Sequence, residues 1–212
     1  ADGAYVVTID DDPEPYVSPS LDHALAVLRS YLFEHVLARA TECAYIHAGC
    51  VGHSGRAILI PGKSDHGKTT LTAALVRAGA TYYTDDYAPL DADGLVHPYP
   101  IPLWIHADGR GDAVAAESLG GRAGREPLAV GVIAHVAYRP GGAWEVRPLR
   151  PSEGALLLFQ HVVGRDFGTE FALHAARRAA EGAVVLQGER GEADDAAARL
   201  LALAEQSARD GS

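Results

Sequence analysis

The chain has 212 residues, of which 48% are hydrophobic and 22% are charged. This length and composition are typical of one globular domain with a buried core, and we expect a single domain over residues 1–212. The formal net charge is −10, from 28 acidic and 18 basic residues. A charge of that sign argues against a protein that holds nucleic acid through many phosphate contacts, and it favours a basic or peptide-like partner.

Cysteine content and hydropathy bear on the compartment. The two cysteines, Cys43 and Cys50, lack the paired spacing of a metal or redox site, which indicates reduced thiols. No apolar run reaches the roughly 18 to 20 residues that a membrane span needs, and the N-terminal segment is acidic, unlike a signal peptide. We therefore expect a soluble, cytoplasmic protein that does not enter a membrane.

The first half of the chain alternates short strands with helices. The acidic, proline-containing segment Asp10–Pro15 interrupts the pattern as a solvated turn, and His53-Ser54-Gly55 predicts a hairpin between two neighbouring strands. Apolar side chains at helical spacing identify the helices. The predicted elements are a strand over 4–9, a helix over 21–40, strands over 43–51 and 57–60, a helix over 69–78 and a strand ending at Asp85.

The second half begins with an extended, proline-rich stretch, Leu95–Ile105, which fits an edge or a loop. Residues 108–125 are rich in glycine and alanine and predict a mobile loop or lid with some local helix. The turn Pro140–Gly142 predicts a hairpin that pairs Val130–Tyr138 with Trp144–Leu149. The remaining predicted elements are helices over 151–161 and 167–178, a strand over 183–187 and a helix over 193–208. Without an internal repeat or a linker, the pattern indicates one mixed α/β domain.

The segment from Gly62 to Thr69 matches the phosphate-loop pattern G-x-x-x-x-G-K-[ST] in full, between an apolar strand and a helix. Loop amides and the helix N-terminus favour a bound anion. Lys68 is expected to reach the β and γ phosphates, and the Thr69 hydroxyl to coordinate Mg²⁺. The predicted nucleotide-binding residues are Gly62, Lys63, Ser64, Asp65, His66, Gly67, Lys68, Thr69 and Thr70, of which Thr70 is expected chiefly to pack or cap. The sequence therefore predicts a site for ATP with Mg²⁺.

Two adjacent carboxylates follow about fifteen residues later, in Tyr82-Tyr83-Thr84-Asp85-Asp86. They end a predicted strand that we expect to lie beside the strand preceding the loop, at the edge where catalytic groups of α/β sheets collect. One carboxylate there can hold Mg²⁺, directly or through water, and the other can take the proton of an incoming hydroxyl group. An Asp-Asp pair also often merely forms a polar turn, and the phosphate-loop pattern upstream favours the functional interpretation.

A histidine precedes the loop, in Ile46-His47-Ala48-Gly49. By itself, a histidine on a strand is more often structural than catalytic. Together, however, Ile46–Gly49, Gly55–Gly62 and Thr81–Asp86 resemble the C-terminal kinase domain of the HPr kinase/phosphorylase family. They are similar in particular to the HPr-kinase-related proteins of peptide biosynthesis clusters, including kinases that modify lasso peptides. The resemblance covers most of the chain and is weak outside His47–Leu90.

The resemblance implies a phosphate-loop α/β fold with a mixed sheet, related to phosphoenolpyruvate carboxykinase. It also implies that Lys68 and Thr69 bind ATP and Mg²⁺, and that the γ-phosphoryl group passes to a serine hydroxyl. By its place in the pair, Asp85 would activate that hydroxyl, with Asp86 tuning it or binding metal and His47 close by. The sequence leaves open which of the two aspartates is the base.

This chain also departs from the family pattern. Lys63, Asp65 and His66 replace the small, glycine-rich centre of the family's loop, giving a bulkier and more polar rim. A Glu-Ile-Arg-Gly-like signature connected with phosphorolysis is missing. We therefore do not expect dephosphorylation, or HPr itself as the substrate, and a peptide or small-molecule serine hydroxyl remains open.

Several other polar residues are weaker candidates. Arg110, Arg122 and Arg125 lie on the predicted lid, where one of them could stabilise the transferring phosphoryl group, although exposed arginines are usually only solvated. Arg165 and Asp166 receive no assignment. The remaining histidines show no ligand-like spacing, and we expect a structural role for His97, His106, His135, His161 and His174.

The function that these patterns predict is an ATP- and Mg²⁺-dependent kinase acting on a serine-type hydroxyl of a peptide or protein, plausibly a lasso-type precursor peptide. One alternative is a nucleotide-binding or ATP-hydrolysing regulatory module, in which the two aspartates hold metal and water without an acceptor site. Another is a kinase of a small molecule such as free serine. Turnover that depends on the acceptor separates the first possibility from the second.

Overall fold

The computed structural model describes residues 3–8, 14–37, 42–63, 66–107, 110–164 and 168–210. The chain divides into two compact units. The smaller unit consists of residues 1–40 and 164–166, and the larger one of residues 41–163 and 167–212. The predicted acidic turn at residues 10–15 lies largely outside the described residues, as do Arg165 and Asp166.

The smaller unit is a two-stranded sheet followed by one helix. Strand β1 (Tyr5–Val7) pairs antiparallel with β2 (Tyr16–Ser18), and helix α1 covers Leu21–Leu37. The Ser20 hydroxyl accepts a hydrogen bond from the His23 backbone N–H, as an N-capping side chain does at a helix start. The predicted strand and helix are both found, whereas β2 is too short to show a pattern in the sequence.

The larger unit is built on a mixed sheet. Its main path has the order β11-β13-β10-β4-β3-β6-β7, and β5 and β12 also pair with β3. Strands β8 and β9 form a separate antiparallel pair. The strands are β3 (Ala44–His53), β4 (Arg56–Pro61), β5 (Thr81–Thr84), β6 (Tyr87–Leu90), β7 (Leu95–Val96), β8 (Leu103–Ala107), β9 (Arg110–Val114), β10 (Leu128–Tyr138), β11 (Glu145–Leu149), β12 (Val162–Val163) and β13 (Val184–Arg190).

Helices cover both faces of this sheet because its central strands are apolar on both sides. In β4, Leu59 joins one buried cluster, with residues of α3 (Pro151–Gln160) and α4 (Thr169–Ala180). Its neighbour Ile60 joins the other, with residues of α2 (Lys68–Arg77) and α5 (Ala193–Asp210). Successive strand residues point to opposite faces, so a continuous apolar run predicts a strand buried between two layers. The fold is therefore mixed α/β, as the sequence predicts.

The β3–β4 hairpin forms where it was predicted. Its turn contains Ser54 and Gly55, both with positive φ angles of 50° and 75°. Two left-handed residues give the turn twist that matches paired strands, and glycine reaches this conformation without steric cost. The hairpin fixes β4 beside β3 and delivers the chain directly into the segment from Gly62 to Gly67, which we call the glycine loop.

Three pairing and loop predictions are wrong. Strand β11 does not pair with β10, because β13 inserts between them, parallel to β10 and antiparallel to β11. Strand β5 lies beside β3 and not beside β4, because β3 occupies the position between them. Residues 110–114, placed in a mobile loop, form β9 against β8, and a short 3₁₀ helix follows at Ala116–Leu119.

The described helices were also compared with the requirements of a membrane span. A span needs about 20 consecutive, predominantly apolar residues. None of the helices in the described ranges is both long enough and apolar enough to cross a bilayer.

Gly49 of β3 allows α2 to pack closely on the sheet. A Cβ atom at Gly49 would meet the Thr72 hydroxyl oxygen of α2, and the next atoms would be at 3.7 Å or more. That hydroxyl is buried and has no hydrogen-bond partner among the described residues. The crowding at Gly49 therefore comes from a single atom that a substitution can remove.

We predict that Gly49→Ala lowers the free energy of unfolding by about 1–3 kcal/mol, because the added methyl group overpacks this contact. Adding Thr72→Ala should restore most of the loss, since the obstructing oxygen is then absent. Urea unfolding of both single variants and the double variant measures the coupling. Purely additive effects of the two substitutions would contradict this account of the contact.

Candidate functional site

The centre of the candidate site is β3. The strands that pair with its two sides are both interrupted near the same point along β3. On one side β4 ends at Pro61, opposite Ala48. On the other side the chain leaves β5 after Thr84 and begins β6 at Tyr87, so that Asp85 and Asp86 lie in the gap between them. The glycine loop and the acidic pair thus reach the same stretch of β3 from opposite sides.

Backbone hydrogen bonds hold this junction together. The His47 carbonyl oxygen accepts a hydrogen bond from Gly62 at 3.5 Å, and the His47 N–H donates to the His161 carbonyl at 2.8 Å. The Ala48 N–H donates to the Asp86 carbonyl at 3.0 Å. The backbone of His47 therefore lies between the start of the glycine loop and the acidic pair.

The glycine loop leads directly into α2. Gly67 adopts a left-handed conformation with φ 73° and ψ 27° just before the first helical residue, Lys68. Its carbonyl accepts the helical hydrogen bond of the Leu71 N–H at 3.1 Å. The unpaired N–H groups and the dipole of a helix N-terminus favour an anion at this position.

The nucleotide-binding residues predicted from the motif differ in their surroundings. Gly62 and Lys68 are buried, with Lys68 only 8% exposed, while Lys63 and Thr70 are exposed. The Lys68 ammonium donates a hydrogen bond to the Lys63 carbonyl at 2.8 Å, inside the loop. His66, Gly67 and Thr69 are half-buried, and Ser64 and Asp65 lie outside the described residues.

Asp85 is the more enclosed of the two aspartates, with 8% of its surface exposed. The Thr69 hydroxyl and the backbone N–H of Trp104 lie near its carboxylate and stabilise the charged form. The Tyr82 hydroxyl lies 3.1 Å from Asp85 Oδ1 and also 2.7 Å from the Ile101 carbonyl oxygen. Burial raises the pKa of Asp85 above its ordinary value, and the hydrogen bonds from Thr69 and Tyr82 partly oppose that rise.

Asp86 is more open. About 36% of its side chain is exposed, and Oδ1 lies 3.6 Å from Nε2 of His47. The Thr84 hydroxyl oxygen accepts hydrogen bonds from the backbone N–H groups of Asp86 and Tyr87, both at 3.3 Å. A hydroxyl that bonds backbone groups two and three residues ahead stabilises a turn. Thr84 therefore fixes the bend that presents the two neighbouring carboxylates in different environments.

His47 is held in its neutral form. Burial lowers its pKa to about 4, with further lowering from the positive charge of Lys68 and from His161. The nearby Asp86 carboxylate acts in the opposite direction but is more than 3 Å away and partly solvated. At neutral pH the imidazole therefore carries no charge and can accept as well as donate a hydrogen bond.

The arginines assigned to a lid do not lie over the glycine loop. Arg122 and Arg125 line a hollow of about 660 Å³ beside the β3–β4 turn, whose lining includes His53 and Gly55. This turn precedes β4, whereas the glycine loop follows it, so the two lie at opposite ends of the strand. Arg122 and Arg125, the weaker candidates for stabilising a phosphoryl group, therefore lie away from the glycine loop. The side chain of Arg110 lies outside the described residues.

Sequence reasoning missed several contributors to the site. Tyr82 and the Trp104 backbone surround Asp85, and His161 supports His47. Arg190, only 1% exposed, donates a hydrogen bond to the Gly67 carbonyl at 2.8 Å. Motif spacing cannot find these residues. They come from β5, β8, the end of α3 and β13, and only the tertiary fold brings them to Asp85, His47 and the glycine loop. Of these contributors, only Tyr82 is indicated by a local feature of the sequence, the aromatic residues that precede Asp85.

The low pKa of His47 can be tested by NMR. We predict that Lys68→Met raises the pKa of His47 from about 4 toward its ordinary value of about 6.5, because a neighbouring positive charge is removed. The matched control is Lys63→Met, which leaves the backbone carbonyl bonded by Lys68 in place. A titration of the imidazole carbon shifts measures both variants, and an unchanged midpoint in Lys68→Met would contradict the electrostatic account.

The same shift has a consequence for stability. The pKa of His47 is lower in the folded state than in the unfolded state. Between about pH 6.5 and pH 4, the unfolded chain therefore binds a proton at His47 that the folded chain does not. The contribution of His47 to stability is therefore complete above this window and is lost as the pH falls through it.

Comparisons with known proteins leave the site to be interpreted from its own geometry. No family model matches the chain, and a search of curated proteins also finds no match. The residues that bear on function are therefore those that the fold brings together around β3.

Proposed function

We propose that this chain is an ATP- and Mg²⁺-dependent kinase that transfers the γ-phosphoryl group to a serine-type hydroxyl of a peptide or protein. Its finer fold would then be that of an HPr-kinase-like phosphate-loop domain. The observation that carries the proposal is that Thr69, which follows Lys68 in the phosphate-loop motif, lies close enough to Asp85 for its hydroxyl to stabilise the carboxylate charge. It joins the two motifs that were assigned separately to phosphate and to acid–base chemistry.

The glycine loop supports the nucleotide half of this proposal. The loop precedes the ten-residue helix α2, whose N-terminus favours the charge of a phosphate. Lys68 begins that helix, and its ammonium is already within the loop, against the Lys63 carbonyl. A short shift of the side chain from that carbonyl would bring the charge to the β and γ phosphates, where it stabilises the transferring group.

The Thr69 and Asp85 side chains fit a magnesium ion. A hydroxyl and a carboxylate in contact are hard oxygen ligands, and Mg²⁺ is usually held by one or two carboxylates together with substrate phosphates. Bound there, the ion would supply charge neutralisation of the phosphate oxygens. The hydrogen bond from the Tyr82 hydroxyl to Oδ1 orients the Asp85 carboxylate.

Asp86 fits the role of general base better than Asp85 does. A base must be within reach of the acceptor hydroxyl, and the side chain of Asp86 is more than a third exposed, whereas Asp85 is enclosed by donors. Neutral His47, 3.6 Å from Asp86, can orient the carboxylate or share the proton that it receives. We therefore assign proton removal to Asp86 and metal binding to Asp85, the reverse of the division that the family resemblance implies.

The reaction then balances with the groups at the site. The acceptor oxygen attacks the γ phosphorus as its proton moves to Asp86, and the bond from phosphorus to the β-bridging oxygen of ATP breaks. ADP leaves with the electron pair of that bond, and Lys68 stabilises the negative charge that develops. The net charge of −10 favours a serine in a neutral or basic peptide segment over one in an acidic segment.

We predict that Asp86→Asn lowers the rate of phosphoryl transfer by about 10²- to 10⁴-fold while ATP still binds with Mg²⁺, since a general base is lost. Asp85→Asn should instead weaken Mg²⁺-dependent ATP binding. Mass spectrometry of a serine-containing peptide measures transfer, and calorimetry measures binding. The control is Asp93→Asn, an exposed aspartate in the turn before β7.

A peptide with alanine in place of serine completes the design. Phosphate gained by the serine peptide alone supports a hydroxyl kinase. ATP hydrolysis without any gain of phosphate by either peptide would favour the regulatory ATPase, and failure of the wild-type protein to bind ATP would refute the nucleotide site. If Asp85→Asn abolishes transfer with binding intact, the two aspartates have the opposite roles.

A further inference from the structure

Arg190 is a fully buried cation next to the glycine loop. It is the last residue of β13, and it pairs in register with Tyr138, the last residue of β10. Strands β10 and β13 are parallel to one another, and β10 is parallel to β4, so their carboxyl ends meet at the edge where β4 enters the loop. Only 1% of Arg190 is exposed to solvent.

Three groups surround the guanidinium. Nη2 donates to the Gly67 carbonyl at 2.8 Å, the same oxygen that accepts the first helical hydrogen bond from Leu71. Nη1 donates to the Gly191 carbonyl at 2.9 Å, and Cζ lies 5.1 Å from the centre of the Tyr138 ring. These contacts fix the end of the loop and the beginning of α2 relative to two strands of the sheet.

The positive charge has no direct counterion in the described parts of the chain. Arg190 forms none of the ion pairs found there, and its Nε atom has no hydrogen-bond partner among those residues. A buried ion is costly, and here two carbonyl oxygens, an aromatic face and the nearby Glu192 carboxylate, which accepts a hydrogen bond from the Tyr138 hydroxyl, compensate it in part. An anion bound at the glycine loop would compensate it further, because charges interact strongly where water is excluded.

The identity of residue 67 follows from the same contact. A Cβ atom at Gly67 would lie 2.6 Å from Nη2 of Arg190 and 3.3 Å from the Tyr138 Cβ atom. The left-handed φ angle of 73° independently favours glycine. The second glycine of the loop motif is therefore favoured by the turn, and a side chain at this position would displace the Arg190 guanidinium from its contact.

We infer that Arg190 is a positioning residue for the phosphate site. It holds the Gly67 carbonyl at the start of α2, and its buried positive charge strengthens binding in proportion to the negative charge of the ligand. This inference rests on the proposed function and deepens it, since it assigns the loop's preference for polyphosphate to a residue 123 positions away in the chain. The residue is not catalytic, because it contacts the loop and not the reacting atoms.

The test compares the affinities of ATP and ADP, each with Mg²⁺, by calorimetry. We expect Arg190→Gln to weaken ATP binding by about ten-fold or more and ADP binding by less, because a buried charge and its hydrogen bonds are lost. Arg190→Lys retains the charge without the fork of donors and should recover the preference for ATP, although not the full affinity. The matched control is Arg147→Gln, an exposed arginine of β11 that bonds Gln187.

Each outcome separates this inference from the proposed function. A wild-type protein that binds neither nucleotide would refute the function. Wild-type binding with Arg190→Gln unchanged, or with ATP and ADP weakened equally, would refute only the role of Arg190. If circular dichroism shows that neither Arg190 variant folds, Tyr138→Leu replaces them in the same test. A greater loss of affinity for ATP than for ADP supports the inference, and unchanged affinities contradict it.

Discussion

The arrangement of this molecule depends on how β3 satisfies its backbone hydrogen bonds where both of its neighbours end. A central strand cannot leave N–H and C=O groups unpaired inside a protein without a large loss of stability. Around His47, those groups bond to the glycine loop, to the residue before β12 and to the acidic pair. Each partner is a segment that carries side chains of the candidate site. The requirement to pair one strand therefore also determines which functional groups meet.

Charge at the site is distributed between enclosed groups and more open ones. Lys68, Asp85 and Arg190 are each less than a tenth exposed. Lys68 and Arg190 donate hydrogen bonds to backbone carbonyls, and Asp85 accepts one from the Tyr82 hydroxyl. Asp86 and His47 are more accessible, with about a third of each side chain exposed. Groups that must not move, such as ligands and electrostatic supports, benefit from burial, whereas a group that exchanges a proton with an incoming molecule must remain within its reach. This contrast is the physical basis for dividing the two aspartates between metal and proton.

Much of the element pattern could be predicted from the sequence, because periodicity reports which faces of an element are buried. The helix after the glycine loop and the β3–β4 hairpin are examples, since each is determined by residues close together in the chain. The motif residues around Lys68 and the pair at Asp85 could be recognised for the same reason. The sequence predicted that the two motifs meet at one sheet edge with β5 directly beside β4, whereas β3 lies between those two strands.

Contacts between distant segments could not be predicted. Nothing local to Arg190 indicates that it bonds Gly67, and nothing in residues 108–125 indicates that part of them completes a strand pair. Residues 108–125 were expected to form a lid because they are rich in glycine and alanine and show little periodicity, but Arg122 and Arg125 line a hollow beside the β3–β4 turn. A strand pairing depends on side chains of both partners, and the sequence of one partner contains only half of that information.

The insertion of β13 between β10 and β11 has a consequence for the order of folding. Strands β10 and β11 are separated by a short turn, so their direct pairing closes a small loop and can form quickly. The native sheet instead requires a strand that begins at residue 184, after two intervening helices. On the ribosome, β10 and β11 emerge long before this partner exists. We therefore expect an early, non-native hairpin of β10 and β11 that must open before β13 enters. Completion of the sheet is then a late step in folding. Arg190 of β13 can bond Gly67 only after that step.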